Sequence, residues 1–143
     1  MDREDWVLLA TSCAEEGGLT PVQLQKSLFL LGQKVPSISQ YGQYYSFIAY
    51  DYGPFCVDIY RDAELLSSEG CININRIPGQ RFDEYFITVK GIKLVEEIKK
   101  NIPSEIYQYV CEIIKWVKGL TFPQLIKAIY SEYPDFSKNS IFK

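Results

Sequence analysis

The chain has 143 residues, 47% hydrophobic and 15% aromatic, a length and an apolar content that suit one domain with one core. It has no histidine, and so lacks the usual general base, metal ligand and nucleophile activator. Its formal charge of -3 is unevenly spread: residues 1–70 hold four Lys+Arg against ten Asp+Glu, a net of -6, and residues 71–143 hold eleven against eight, a net of +3.

No carboxylate pair stands out as a substitute catalyst, because Glu15-Glu16, Asp83-Glu84 and Glu96-Glu97 sit where solvated faces or turns are expected. The expectation is therefore a protein that is not an enzyme, with no cofactor and no metal. The longest mostly apolar stretch, around residues 28–31, is far short of the roughly 18 residues needed to span a bilayer. Met1-Asp2-Arg3-Glu4-Asp5 is acidic where a signal peptide is basic, so the expected location is the cytoplasm. Cys13, Cys56, Cys71 and Cys111 lie far apart with no Cys-x-x-Cys pair, which reads as four plain buried thiols.

Along the chain, Trp6, Leu9, Ala10 and Cys13 recur at helical spacing, predicting a short amphipathic helix over 4–14 that Gly17-Gly18 ends. A second helix starts with several devices at once: Thr20 as cap, Pro21 at the first position, Gln23 completing a capping box and Leu19 stapling onto Leu24. It runs through Leu28 and Leu31 to near Gly32. Tyr44-Tyr45-Ser46-Phe47-Ile48-Ala49-Tyr50 has the composition of a strand. Asp51-Tyr52-Gly53-Pro54 then reads as a turn and helix start, with a third helix over 55–68 whose stripe is Ile59, Ala63 and Leu66 and whose stop is Gly70.

The period changes over 71–89: Ile72, Ile74 and Ile77, a Pro78-Gly79 turn and Tyr85-Phe86-Ile87 predict a β-hairpin. Thr88 caps a helix carrying Ile92, Val95 and Ile98, which Pro103 closes. Two helices follow, one over 104–118 with Ile106, Val110, Ile113 and Val117, and one from Thr121 with Gln124 as its capping-box partner and Leu120 stapling onto Leu125. Residues 18–26 and 119–127 share six of nine residues, a repetition of capping chemistry and not of the fold. In the tail, Phe136, Ile141 and Phe142 are spaced to tuck onto a neighbouring surface, with fraying as the other reading.

Helix, helix, helix, hairpin, helix is the order of a winged helix-turn-helix. The expected class is thus α+β and mostly helical, a winged helix-turn-helix core over about 4–102 with two extra C-terminal helices over about 103–143, all in the single domain 1–143. The segment from Tyr85 to Leu94, Tyr-Phe-Ile-Thr-Val-Lys-Gly-Ile-Lys-Leu, resembles the Tyr-x-Leu-Thr-x-x-Gly-x-x-Leu pattern ending the wing of many bacterial winged-helix regulators. Leu19 to Phe29, with Leu24-Gln25-Lys26 at its centre, is similar to the Leu-Gln-Lys helix of the Panacea (SocA-like) antitoxin-domain family. Tyr52-Gly53-Pro54, followed by Asp62 and Leu65, resembles that family's Tyr-Gly-Pro motif and next helix. The likeness covers roughly residues 5–100. It implies a bacterial or phage-linked domain that neutralises a toxin encoded beside it, often by direct protein contact.

Charge argues about the partner. Between Asp51 and Gly70, Asp51, Asp58, Asp62, Glu64 and Glu69 stand against Arg61 alone, a net of -4, where a groove-reading helix needs cations for the phosphates. Arg61 reads as a base contact or, more plainly, as a local pair with Asp58, Asp62 or Glu64. Tyr50, Tyr52 and Phe55 fit either recognition or core packing. The leading expectation is an antitoxin-type interaction module that uses Tyr50, Tyr52, Phe55, Asp58, Arg61 and Asp62 to bind a protein, a basic toxin encoded nearby. The alternative is a DNA-binding regulator, as a homodimer, reading through the wing residues Arg76, Arg81, Lys90 and Lys93. Neither reading involves a membrane.

Overall fold

A computed structural model describes residues 1–35, 37–76, 78–79 and 82–142. The chain is α+β and mostly helical, with six α-helices and two separate two-stranded antiparallel sheets among the described residues. The first helix, α1 (Asp5–Ser12), is buried on all sides from Trp6 to Thr11. It packs against four other helices and the second hairpin, and is thus the axis of the core and not an amphipathic surface helix. Thr11 sits there without cost because its hydroxyl donates back to the carbonyls of Val7 and Leu8 at 2.9 and 3.0 Å.

Helix α2 (Pro21–Lys34) starts as the sequence predicts: Thr20 Oγ1 accepts from Gln23 N–H at 3.3 Å, and Gln23 Oε1 accepts from Thr20 N–H at 3.0 Å. It runs two residues past Gly32, where the ring of Tyr44 lies in the space a side chain at residue 32 would take.

The expected long strand is short. Only β1 (Ile48–Tyr50) is extended in a ladder, while Tyr44 and Tyr45 turn their rings inward. Its partner is β2 (Gly53–Phe55), with Ile48 opposite Phe55, Ala49 opposite Pro54 and Tyr50 opposite Gly53. Gly53-Pro54 is therefore a strand and not a helix start. Two causes are visible. Gly53 has φ +96°, a conformation reserved for glycine. The polar backbone around Pro54 and Cys56 is satisfied by side chains of α2, described below. Helix α3 (Val57–Ser68) begins two residues later than expected and buries Ile59, Asp62, Ala63 and Leu66.

The second hairpin joins β3 (Ile72–Asn75) to β4 (Glu84–Ile87), with Ile72 opposite Ile87. Leu19 extends it by exchanging two backbone hydrogen bonds with Tyr85, at 3.0 and 2.8 Å. Ile77 and Arg81 lie outside the described residues. In α4 (Val89–Ile98), Thr88 caps by accepting from Gly91 N–H at 3.0 Å. The inner stripe is Gly91, Val95 and Ile98, and Ile92 is 48% exposed, contrary to expectation. Gly91 explains the rotation: a Cβ there would lie 2.2 Å from the carbonyl oxygen of Cys71, so the absent side chain lets α4 sit directly on the start of β3.

Helices α5 (Ser104–Lys118) and α6 (Phe122–Glu132) complete the bundle, α6 with a second capping box between Thr121 and Gln124. Val110, Ile114, Val117, Leu125 and Ile129 belong to the same buried cluster as Trp6 and Leu28, so these helices are part of one core. Phe136 packs edge-on against Phe29, with ring centres 4.7 Å apart, and Phe142 reaches Phe122, whereas Ile141 stays 60% exposed.

The cysteines divide. Cys56 and Cys71 are free and buried, as expected. Cys13 and Cys111, across 98 residues of sequence, are joined in a disulfide with Cα atoms 4.9 Å apart, which corrects the reading of four plain thiols. Spacing rules see local pairs, and this pair is made only by the packing of α1 on α5. No helix among the described residues is long and apolar enough to cross a membrane.

Candidate interaction surface

The β1–β2 hairpin is held from beneath by two buried polar side chains of α2. Gln25, 1% exposed, donates from Nε2 to the carbonyl of Cys56 at 2.7 Å and accepts from the Cys56 N–H at 2.9 Å. Lys26, 3% exposed, donates from Nζ to the carbonyl of Pro54 at 2.8 Å. Burial pulls the Lys26 ammonium down to about 8 from its ordinary 10.5. Gln25-Lys26 and Pro54-Phe55-Cys56 are therefore two halves of one structural joint: the first supplies donors and an acceptor, and the second the backbone of Pro54 and Cys56 that they satisfy.

So supported, the hairpin displays its aromatics. Tyr50 is 48% and Tyr52 40% exposed, with Phe55 half-buried. Tyr50 stacks on Phe55 at 4.9 Å, and Tyr52 meets the ring of Phe122 at 5.3 Å. Beside Tyr52 opens a groove of about 470 Å³ walled by Val22, Tyr52, Phe82, Leu120, Phe122 and Leu125, with no charged side chain among the described residues of its lining. The C-terminal tail borders it: Ile141 N–H donates to Asp51 O at 2.9 Å and Asn139 to Ala49 O at 3.1 Å. Phe142 lies against Phe122 with ring centres 5.8 Å apart.

Asp58, Arg61 and Asp62 form a different group, organised by Arg3. The Arg3 guanidinium forks onto Asp62 at 2.9 and 3.1 Å and reaches Asp58 at 3.3 Å. Tyr45 donates its hydroxyl to Asp62 at 2.7 Å. The hydrogen bond to Asp62 raises the Arg3 pKa further, against the effect of burial. Burial first, and the Asp62 bond second, push the Tyr45 phenol far up. Asp62 thus faces inward as the anchor of a part-buried ion cluster. Arg61 is the exposed member and pairs with Asp58 at 3.4 Å, the local pair foreseen as its plainer reading.

Of the four cations expected to meet DNA in the alternative reading, Arg76 and Lys90 are engaged within the chain. Arg76 pairs with Glu64 and, at 3.5 Å, with Asp83. Lys90 donates to the carbonyl of Glu69 at 2.7 Å, capping the end of α3. Lys93 stands exposed on α4, and Arg81 lies outside the described residues. Sequence reasoning missed Arg3, Phe82 and Phe122. Arg3 sits in an acidic terminus far from α3, and Phe122 reads locally as the first residue of a capped helix. No group of His, Cys, Asp and Glu among the described residues is arranged to hold a metal ion. Set against known protein families, curated proteins and solved structures, the chain matches none.

Proposed function

We propose that the chain is a winged-helix-like interaction module of the antitoxin type, which binds and neutralises or regulates a partner protein. The observation that carries this reading is the exposed aromatic surface of Tyr50 and Tyr52, on a hairpin fixed from below by Gln25 and Lys26, and of Phe122 across a groove whose described lining is apolar or uncharged. Rigid, partly exposed Tyr and Phe rings are the residues that dominate binding energy at protein interfaces. The contact is mainly apolar. Much of the acidity of α3 is already matched by Arg3, Arg61 and Arg76, so a basic partner is attracted less than the sequence charge suggests.

The same pairings weaken the DNA reading, because Arg76 and Lys90 must leave intramolecular partners to meet phosphates. The test is co-expression with the product of a neighbouring gene that arrests growth. The chain is expected to restore growth and co-purify, and a chain carrying Tyr52→Asp and Phe122→Asp, shown to be folded by circular dichroism, to do neither. Indifference of the toxic neighbour to the intact chain defeats the proposal. Retardation of its own promoter fragment at 150 mM salt favours the DNA reading instead.

A further inference from the structure

Two ties fasten the 14–18 loop to α5. One is covalent, Cys13–Cys111. The other is Lys118, whose Nζ donates to three carbonyls of that loop, those of Ala14, Glu16 and Gly18, at 2.9, 2.5 and 2.8 Å. The loop needs holding. Glu15, Gly17 and Gly18 all have positive φ, at 53°, 84° and 61°, and it delivers Leu19 to its pairing with Tyr85 and Thr20 to the cap of α2. The disulfide is not sealed in the core. It borders a cleft of about 450 Å³ lined by both cysteines together with Glu15, Glu16, Glu112, Lys115 and Lys118. Cys13 is as buried as the free thiols Cys56 and Cys71, and Cys111 is the more exposed member of the pair.

We propose that Cys13–Cys111 is a thiol-exchange site for a small peptide thiol of the glutathione class. A cleft of this size, with both signs of charge in its wall, suits a zwitterionic ligand carrying carboxylates and an amine. The thiolate attacks Cys13 Sγ and forms a mixed disulfide there, the Cys13–Cys111 bond breaks, and its electron pair departs on Cys111 Sγ. A second thiolate then attacks the sulfur of the bound small thiol, releasing the oxidised small-molecule disulfide and a Cys13 thiolate. Both protein thiolates take up a proton, so the protein gains two electrons and two protons as two thiols become one disulfide.

The polarity follows from the surroundings. Lys115, one helical turn beyond Cys111, shares its helix face and lines the same cleft, whereas Glu112, also in the lining, is turned about 100° round the helix, so the nearer charge favours a thiolate on the leaving sulfur. Cys13 caps the C-terminal end of α1, where the helix dipole opposes a thiolate. A leaving thiol that better bears the negative charge leaves faster.

The intact chain, oxidised with glutathione disulfide and desalted, is titrated natively with reduced glutathione, quenched in acid, alkylated after unfolding and read by peptide mass spectrometry. The oxidised chain should show two alkylated cysteines, Cys56 and Cys71, then a transient glutathione adduct on Cys13, then four free thiols. Lys115→Glu should slow the first step by roughly fivefold. Hydrogen exchange over 13–19 should quicken by about tenfold or more on reduction, with 72–75 unchanged. Four thiols in the oxidised sample, or resistance to millimolar glutathione until the chain unfolds, overturns the proposal. An adduct on Cys111 in place of Cys13, or an unaltered rate in Lys115→Glu, overturns the assigned direction of attack. In Cys111→Ser the proposal requires a lasting adduct on Cys13. If that variant does not fold, the native titration decides alone.

Discussion

Lys26 donates its buried ammonium to the carbonyl oxygen of Pro54, joining the middle of α2 to an edge of the β1–β2 hairpin. With its folded value pulled from 10.5 to about 8, the unfolded chain holds the proton more tightly than the folded one. Between pH 8 and 10.5 the unfolded state therefore binds more protons, and raising the pH stabilises the fold, by up to about 3 kcal/mol from this group. Below pH 8 both states are charged and the dependence vanishes. Urea unfolding of the natural chain and of Lys26→Met across this range should give stability curves that diverge by that amount. Parallel curves contradict the burial argument.

Arg3, Asp62 and Tyr45 act as a unit. Asp62→Ala strands a guanidinium and a phenol that are partly buried, and should cost about 2–4 kcal/mol, as should Arg3→Ala. The double substitution should cost less than the two singles combined, by about 1–3 kcal/mol. Equilibrium denaturation of the four chains measures the coupling, and additive losses would show that the cluster is not cooperative.

Gly91→Ala should invert the usual rule. In an open helix interior this change stabilises by up to about 1 kcal/mol. Here the new Cβ meets the carbonyl oxygen of Cys71 and must push α4 off β3, so a loss of about 2 kcal/mol or more is expected. Ile92→Ala, on the exposed side of the same helix, should cost under about 1 kcal/mol. Thermal melts of both variants decide.

Tyr52→Ala and Phe122→Ala should each leave stability within about 1 kcal/mol, since both rings are roughly 40% exposed. Each should nevertheless weaken partner binding about 30-fold, the effect of losing a hot-spot ring of about 2 kcal/mol. Calorimetric titration against the partner checks both. Unchanged affinity in the two variants would place the interface elsewhere.

Where the chemistry of an element is local, the residues spell it out. Thr20 with Gln23, Thr121 with Gln124, and Thr88 all cap as read, and α5 spans the expected 104–118. The misreadings share one cause, which is partners distant in sequence. Pro54 reads as a helix start until Gln25 and Lys26 arrive to satisfy the backbone around it. Ile92 reads as core until Gly91 is seen to touch Cys71. Tyr52 reads equally as recognition or core from its place at a corner, and the groove beside it was not legible at all, because Phe82, Leu120 and Phe122 come from segments 30 to 70 residues away.

An apolar helix at the axis also governs the order in which the chain can mature. Helix α1 offers no polar side to water, and one of its principal walls is α5. A ribosome makes α1 almost a hundred residues before α5, so even after α2, α3, β4 and α4 have emerged the growing chain carries this apolar segment with one wall missing. Chaperones that hold apolar stretches would find their substrate at residues 6–11, and release would be timed by the emergence of Val110, Ile114 and Val117.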